Sequence, residues 1–302
     1  MRYIVTGGAG FIGTNLIKRL INDGHDVVSL DNYSTGLKKN EQKGCDYRNV
    51  DLGDTTRKSG GFIQESYGLY EPKVDVIFHL AALPRIQASF ENPNEVFKSN
   101  VISTQNILDW AKDKDIPVVF AGTSSIHGDK YANPYTFTKW QSELMFKMYH
   151  KLFNVRMSIC RFYNVYGPNM IYEGPYSLVI PIFENQFFKN EPLTITDDGE
   201  QRRDFTHVND IVDGLIKCGD RLSDVNFEQI NGLEFEFGCG KNYSINELAN
   251  MFGESYPKKY IPARDGEMRE TLCESKIERD LLNWEPTHDL ETYIKTLIGD
   301  SK

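Results

Sequence analysis

The sequence has few cysteines, no basic excess and no long hydrophobic run. Its five cysteines are widely spaced and form no Cys-x-x-Cys pair, which argues against a disulfide framework and against a zinc site. Lysine and arginine number 34 against 43 acidic residues, whereas a protein that grips nucleic acid needs a basic surface. No stretch approaches the roughly eighteen apolar residues of a membrane span, and no basic, apolar leader precedes the first predicted strand. We therefore expect a cytoplasmic protein in a reducing compartment, without nucleic-acid, membrane or metal partners.

The 302 residues are 40% hydrophobic and 25% charged, which is typical of a globular protein with an ample core. In the first half, strand-like and helical patterns alternate, and the apolar runs VDVIFHLAA (74–82) and PVVFAG (117–122) show no period of two. Strands buried on both faces have this pattern, so we predict an α/β fold with a doubly wound parallel sheet. The predicted elements are strands at Tyr3–Thr6, Asp26–Leu30, Asp46–Val50, Val74–Leu80 and Pro117–Ala121, and helices at Phe11–Asn22, Pro93–Lys112 and 135–153.

The rest of the chain is less regular. Between Asn32 and Lys73 it is polar and rich in glycine, so apart from one strand we expect loops and one exposed helix. From Gly167 onward, prolines interrupt the pattern and predict a second, smaller C-terminal α/β domain. Helices are predicted there at Ser177–Lys189, Ser244–Phe252 and Asp289–Ile298.

Three glycines, Gly7, Gly10 and Gly13, stand between the first predicted strand and the first predicted helix. Glycine costs roughly 0.5–1 kcal/mol relative to alanine inside regular structure, so the spacing indicates a backbone that something approaches closely. At this position, backbone N–H groups and the helix N-terminus can meet a pyrophosphate. A tight structural turn is the alternative for the glycine pattern alone.

Asp31 ends the next predicted strand, eighteen positions beyond Gly13. Its carboxylate is placed to accept hydrogen bonds from both ribose hydroxyls of adenosine and to repel a 2′-phosphate, which favours NAD over NADP. Asp51 and Leu52 follow the third strand and are placed to face adenine. For Asp51, a solvated loop residue is the alternative.

Tyr135 and Lys139 are spaced i and i+4, so the phenol and the ammonium share one helix face. A free tyrosine has a pKa near 10, so action as a base near neutrality needs a pKa lower by roughly three units, or about 4 kcal/mol. Lys139 and an oxidised nicotinamide ring can together supply this. Thr123, in AGTSSIHG after a buried strand, offers a hydroxyl to hold the reacting oxygen.

Conserved-looking blocks now follow one another along nearly the whole chain: GGAGFIG, HLAA, TSSIHG, YxxxK, RFYNVYGP, GEQRRDF, PARDGE and NWEP. They resemble the extended short-chain dehydrogenase/reductases, and among these the NAD-dependent sugar-nucleotide epimerases typified by UDP-glucose 4-epimerase. The resemblance implies that Thr123, Tyr135 and Lys139 are catalytic. Tyr135 would take the proton of the sugar 4-hydroxyl, Thr123 would hold that oxygen, and Lys139 would also bind the nicotinamide ribose. The product of this step is a 4-keto sugar, which turns over and is reduced on its other face.

The resemblance further implies two sets of binding residues. Cofactor contacts are implied for Gly7, Gly10, Phe11, Ile12, Gly13, Asp31, Asn32, Asp51, Leu52, Leu80, Ala81, Ala82, Asn100, Tyr135, Lys139 and Tyr163. Substrate contacts are implied for Arg85, Thr123, Asn164, Arg203, Arg264, Glu267 and Thr271. Arg203 and Arg264 would neutralise the diphosphate, unless Arg203 merely pairs with Asp204 or Asp210. For Asn100, a structural role is an equal alternative.

The resemblance also implies an organisation. Residues 1–166 and 204–239 would form the NAD-binding Rossmann domain, and residues 167–203 and 240–302 the nucleotide-sugar domain. Members of this group form homodimers through a four-helix interface, which we expect here.

Substrate and reaction depend on a few positions. Dehydratases carry T-D-E and decarboxylases T-S-E where this chain has Thr123, Ser124 and Ser125, so 4-epimerisation of a UDP-hexose is favoured. Related enzymes exclude N-acetylated sugars with a tyrosine where this chain has Thr271, which predicts use of UDP-N-acetylglucosamine as well as UDP-glucose. The alternatives are another oxidoreductase, decarboxylase or dehydratase of nucleotide sugars, and a non-catalytic NAD-sensing protein.

Overall fold

The computed structural model describes residues 1–54, 73–172, 174 and 176–299. Of the segment Asn32–Lys73, in which one exposed helix is predicted, residues 55–72 lie outside the described residues, and residues 32–54 contain a short 3-10 helix, Lys38–Asn40, and one strand. None of the described helices is both long enough and apolar enough to cross a membrane.

A seven-stranded sheet with the order β3-β2-β1-β4-β5-β6-β10 forms the centre of the molecule, and every neighbouring pair is parallel. Its strands are β1 (Arg2–Thr6), β2 (Asp26–Asp31), β3 (Asp46–Asn49), β4 (Val76–His79), β5 (Val118–Thr123), β6 (Met157–Phe162) and β10 (Glu234–Phe237). The strand order reverses between β1 and β4, so the carboxyl ends of these strands flank a crevice. The predicted doubly wound fold is confirmed.

Some of the described helices flank this sheet, and the others lie in the C-terminal part of the chain. They are α1 (Phe11–Asn22), α2 (Ile86–Glu91), α3 (Pro93–Phe97), α4 (Ser103–Lys114), α5 (Pro134–Phe153), α6 (Val179–Phe188), α7 (Val208–Ser223), α8 (Ile245–Met251), α9 (Ile277–Leu282) and α10 (Leu290–Gly299). One sheet face packs on α1 and α7, and the other packs on α4 and α5. Strands β1, β4, β5 and β6 are buried at every residue, because both faces are covered.

Two helix features bear on the site. Helix α5 begins where the Asn133 side chain accepts a hydrogen bond from the Thr136 N–H at 2.8 Å, with Pro134 as the first helical residue. The predicted helix Pro93–Lys112 is not continuous: α3 and α4 are joined by a π-helical turn, Lys98–Ile102. A π-turn re-aims side chains within a helix, and this one contains Asn100.

The C-terminal half contributes two small sheets. Strands β7 (Asn164–Tyr166), β9 (Arg202–His207) and β11 (Asn242–Ser244) form one, and β8 (Leu193–Thr196) and β12 (Lys258–Ile261) form the other. A third apolar cluster lies here, with Phe183, Leu193 and Leu248 among its members. Leu282 and Trp284, however, pack in the cluster on the α1–α7 face of the main sheet. The predicted division into two domains stays a prediction.

Candidate active site

A cavity of about 710 Å³ lies at the carboxyl ends of the central strands. Its wall contains almost the whole set of predicted site residues: Gly7, Gly10, Phe11, Ile12, Gly13, Asp31, Asn32, Asp51, Leu52, Leu80, Ala81, Ala82, Arg85, Thr123, Tyr135, Lys139, Tyr163, Asn164, Arg203, Arg264, Glu267 and Thr271. Positions up to 264 residues apart in the chain therefore meet around one space.

Asn100 does not line this cavity. Its side chain is buried, accepts a hydrogen bond from the Leu83 N–H at 2.8 Å, and donates to Thr138 Oγ1 at 3.0 Å. These bonds tie the loop after β4 to helix α5. These bonds support the structural alternative for Asn100, and its contact with the cofactor stays a prediction.

The glycine loop after β1 leaves no room for side chains. A Cβ atom at Gly13 would lie 2.3 Å from the Gly7 carbonyl oxygen, and one at Gly7 would lie 2.9 Å from the Ala81 backbone. Gly7 also has φ +70, a conformation that favours glycine. Gly10 is the N-cap of α1 and supplies no side-chain cap, and the first turn has no acidic residue. The N–H groups at this helix end are therefore available to an anion in the cavity.

Asp31 is the last residue of β2 and lies in the cavity wall. Its two carboxylate oxygens accept one backbone N–H each, from Ala9 at 2.9 Å and from Tyr33 at 2.7 Å. Burial raises the pKa of Asp31, and these two hydrogen bonds oppose the rise. Each oxygen keeps a further lone pair for a donor such as a ribose hydroxyl. Asp51 pairs with Lys98 at 2.7 Å and is partly exposed.

The three predicted catalytic side chains meet at one wall of the cavity. Thr123 ends β5, Tyr135 lies in the first turn of α5, and Lys139 follows one turn later. The Thr123 hydroxyl donates to Ser125 Oγ at 3.2 Å and favours the ionised form of Tyr135 by lowering its pKa. The Lys139 ammonium donates to the Ala121 carbonyl oxygen and lies 4.1 Å from the centroid of the Phe120 ring.

Burial sets the electrostatics of this wall. Burial raises the pKa of Tyr135, and the Thr123 hydroxyl and the positive charge of Arg85 oppose the rise. Burial lowers the pKa of Lys139 to about 7, against the charge of Glu143. Arg85 is thus a cation that favours the Tyr135 phenolate in this structure. The predicted contribution of Lys139 together with an oxidised nicotinamide ring stays a prediction.

Arg203 and Arg264 converge on Glu267 at another part of the cavity. The Arg203 guanidinium lies 3.5 Å and the Arg264 guanidinium 3.9 Å from the carboxylate oxygens of Glu267. Asp204 is occupied by the N–H groups of Cys239, Gly240 and Cys273, and Asp210 by Thr287 and His288. The simpler alternative, in which Arg203 pairs with one of these aspartates, is wrong.

Asn164 and Thr271 form the wall next to this arginine pair. The Asn164 amide donates to Thr271 Oγ1 and to the Asp204 carbonyl oxygen, each at 3.2 Å. Thr271 is buried and lines the cavity. Two chain segments are thereby held side by side at the cavity.

The sequence model of the NAD dependent epimerase/dehydratase family matches residues 3–231. The chain belongs to this family. It is 32% identical to the UDP-glucuronate 4-epimerase of Thermodesulfobacterium geofontis, over 99% of this chain and 96% of that protein. The crystal structure of UDP-glucose 4-epimerase from Thermotoga maritima, with UDP-glucose, is 25% identical and matches with a TM-score of 0.88 over 99% of this chain and 98% of that one. UDP-glucuronic acid 4-epimerase from Bacillus cereus, in complex with UDP-glucuronic acid and NAD, is 25% identical with a TM-score of 0.84 over all of both chains.

Membership confirms the resemblance, the fold, the cofactor and the enzyme class that the sequence predicted: this is an NAD-dependent epimerase. The residues of the cavity fit the cofactor. The open N-terminus of α1 would hold its diphosphate, because the absence of Cβ atoms at Gly7, Gly10 and Gly13 lets the backbone approach closely. Asp31 would hold the adenosine ribose.

Two polar residues of the epimerase cavity that the sequence did not predict have unpartnered polar atoms. Ser177 and Gln201 line it, and the Ser177 hydroxyl and the Gln201 amide oxygen are buried without a hydrogen-bond partner among the described residues. Gln201 lies inside the GEQRRDF block, so the block itself was a signal. Ser177 lies outside every block, and no sequence pattern indicated it.

Proposed function

We propose that this epimerase interconverts UDP-hexoses that differ at C4. Its candidate substrates are UDP-glucose and UDP-galactose, and, because Thr271 is small, UDP-N-acetylglucosamine and UDP-N-acetylgalactosamine. Acidic UDP-hexoses belong to the same class, since relatives are named for UDP-glucuronate. The observation that carries the proposal is that one cavity contains an acid–base tyrosine at one wall and a pair of arginines at another.

The tyrosine wall has the groups that proton transfer at O4 requires. Tyr135 removes the O4 proton and later returns it, while the Thr123 hydroxyl, which lines the same cavity, fixes the position of that oxygen. When bound, NAD would supply the hydride acceptor and donor for C4 of the sugar. Lys139 would hold its nicotinamide ribose. Because burial raises the pKa of Tyr135, the charge of Arg85 matters for forming the phenolate.

The arginine wall has the groups that a diphosphate requires. Arg203 and Arg264 carry permanently charged, planar guanidinium groups that suit two-pronged phosphate contacts. Burial lowers the pKa of Arg203, the direction expected of a cation that lacks full compensation. A diphosphate anchored here leaves the sugar attached by a flexible linkage, and the 4-keto sugar can then present its other face.

Two alternatives are weaker on particular residues. Elimination of water needs an acid after Thr123, and positions 124 and 125 are both serines in the cavity wall. A non-catalytic NAD sensor needs the cofactor residues alone, whereas Thr123, Tyr135 and Lys139 all lie together here.

The test is a product assay with the purified, NAD-loaded protein. We expect NMR to detect the C4 epimer of at least one UDP-hexose, with no stoichiometric accumulation of NADH. Tyr135→Phe is expected to lower kcat by about 10²-fold or more, since it removes the acid–base group. Tyr131→Phe is the matched control, because Tyr131 is 74% exposed. Net reduction or oxidation of added cofactor, or full activity of Tyr135→Phe, would contradict the proposal.

We also propose that the enzyme forms a homodimer through a four-helix interface. Support comes from Leu144, Met148 and Leu152, which are spaced by four residues on α5 and are 44%, 44% and 62% exposed. An exposed apolar stripe of this kind is typical of a contact surface. In light scattering, Leu144→Glu with Met148→Glu is expected to give a monomer. Phe188→Glu, at an equally exposed apolar site on α6, should leave the dimer intact, and a wild-type monomer would refute the interface.

A further inference from the structure

We propose that the preferred substrate is a UDP-sugar acid, and that Arg85 binds its carboxylate on a substituent next to C4. This inference rests on the proposed 4-epimerase function. It goes further by assigning the sugar's charge and the residue that selects it.

Arg85 is held in an uncommon position. It is the N-cap of α2, in the loop after β4, and has φ 90 and ψ 127. A residue with a side chain rarely has a positive φ, and such conformations are concentrated at functional sites. Its Nε donates to the Tyr176 carbonyl oxygen at 3.0 Å. The guanidinium is thus held by a residue 91 positions further along the chain.

Within the described part of the chain, Arg85 forms no ion pair. The other two arginines in the cavity wall share Glu267, and Lys139 is influenced by Glu143. The terminal nitrogens of Arg85 also form no hydrogen bond to the described residues. Burial lowers the pKa of this guanidinium, which is the expected effect of removing a cation from water without an anion beside it. A carboxylate on the ligand would compensate the charge and occupy the unused N–H groups.

The position of Arg85 indicates which part of the ligand carries that anion. Arg85 and Tyr135, the group that approaches O4 of the sugar, line the same cavity. The two segments also meet at Gly266, where a Cβ atom would lie 3.3 Å from the Ala132 carbonyl oxygen and 3.4 Å from Ile86 Cγ2. Substituents on C3 and C5 flank O4, so either can reach a guanidinium in this region. The diphosphate is assigned above to another pair of arginines, so the proposed carboxylate has a cation of its own.

Ser177 is a second, independent observation. It follows Tyr176, whose carbonyl holds Arg85, and it lines the same cavity. Its buried hydroxyl has no hydrogen-bond partner among the described residues. A hydroxyl and a guanidinium together supply donors for both oxygens of a carboxylate.

Two sugar acids offer the required group. In UDP-glucuronate the carboxylate is on C5, and in UDP-N-acetylmuramate it is on a lactyl ether at C3. A neutral sugar in the same place would leave Arg85 desolvated and unpaired. The cavity should therefore discriminate against UDP-glucose and UDP-N-acetylglucosamine relative to their acidic counterparts.

The experiment compares these four sugars in calorimetric binding and in NMR turnover, with NAD-loaded wild type, Arg85→Gln, Arg85→Lys and Arg264→Gln. The wild type is expected to bind one acid at least tenfold more tightly than its neutral counterpart. Arg85→Gln should lower the affinity for that acid by about 10- to 100-fold, as for loss of a hydrogen bond to a charged group. It should change the affinity for the neutral sugar by less than about threefold. Arg85→Lys should recover part of the preference. Arg264→Gln should weaken the binding of all four sugars alike.

Equal binding of acidic and neutral sugars by the wild type, or an equal loss for all four in Arg85→Gln, would overturn the inference. The identity of the preferred acid shows whether the bound carboxylate is attached at C5 or at C3 of the sugar. Binding is measured apart from turnover, so the two proposals can fail separately. If an acid binds through Arg85 but is never epimerised, the proposed function is overturned and the carboxylate site is not. If the enzyme epimerises neutral sugars and no acidic ones, the carboxylate site is overturned and the proposed function is not.

Discussion

Replacement of Gly13 by alanine tests whether the loop after β1 has room for anything except backbone. A Cβ atom at this position would lie 2.3 Å from the Gly7 carbonyl oxygen and 2.7 Å from Gly8 Cα. Ordinary contacts of this type are about 3.4 Å or longer, so the overlap with the carbonyl oxygen is roughly 1 Å. Both contacts are with backbone, and no side chain can rotate away to relieve them. Because the loop must move as a whole, we expect a loss of about 2–3 kcal/mol in the free energy of unfolding.

The same movement should abolish the cofactor site. NAD at about one hundred times its Kd stabilises a protein by about 2.7 kcal/mol. At roughly 2–4 °C per kcal/mol, the wild type freed of NAD should therefore gain about 5–10 °C in Tm when NAD is added. Gly13→Ala should have a lower Tm and should gain almost nothing, since the N–H groups of α1 no longer face the diphosphate.

Gly10→Ala is the matched control within the same loop. Its Cβ would lie 3.2 Å from the Gly7 carbonyl oxygen, a contact that a shift of a few tenths of an ångström relieves. We expect a fall of less than about 1 kcal/mol in stability. Differential scanning fluorimetry with and without NAD measures all three proteins. A Gly13→Ala variant that melts with the wild type and keeps its response to NAD would refute the close-approach reasoning.

Three further outcomes are expected. Arg161→Leu removes the partner of Glu143, whose side chain is 1% exposed and lies 2.7 Å from the guanidinium. Urea unfolding should show a loss of about 3–5 kcal/mol in the free energy of unfolding. A loss below about 1 kcal/mol would contradict the buried pairing. Burial lowers the pKa of His79 to about 3, so between about pH 6.5 and pH 3 the unfolded chain binds a proton that the folded protein does not. The free energy of unfolding should therefore fall as the pH is lowered through this window, by about 2 kcal/mol at pH 5 from this group alone. His79→Gln should remove that part of the fall. Thr271→Tyr places a ring in the cavity wall, so turnover of UDP-N-acetylglucosamine should decrease relative to UDP-glucose, and an unchanged ratio would defeat the role assigned to Thr271.

The elements that the sequence predicted well are those with strong local signals. Helix α1 runs from Phe11 to Asn22 as expected, because the glycine loop fixes its start and Gly24 follows its end. Strand β5 extends two residues beyond its predicted end, to Thr123. That extension depends on pairing with β6, a non-local contact that the apolar run PVVFAG does not encode.

The candidate site was predictable where function fixes residue type and spacing. Tyr135 and Lys139 share a helix face by geometry alone, and Asp31 lies at a strand end that the parallel sheet directs to the cavity. The direction of the Asn100 side chain could not be predicted, because this residue lies in a π-turn. No hydrophobic period distinguishes a π-turn from the α-helix around it.

Charge balance in the cavity was the least predictable property, since it depends on burial and on partners from distant segments. The sequence shows Tyr135 and Lys139 as neighbours, and from spacing alone the lysine is the natural source of positive charge. The fold buries Lys139 against the Ala121 carbonyl and the Phe120 ring, and it places Arg85, from the loop after β4, in the wall of the cavity that Tyr135 also lines. Arg85 therefore affects Tyr135 in two different ways, depending on the ligand. Without an anionic ligand it favours the phenolate, and with a carboxylate beside it that effect on Tyr135 weakens. We therefore expect the pH profile of turnover to depend on the sugar's charge, with the acidic limb at higher pH for an acidic sugar than for a neutral one. Identical profiles for both kinds of sugar would show that Arg85 does not act on both groups.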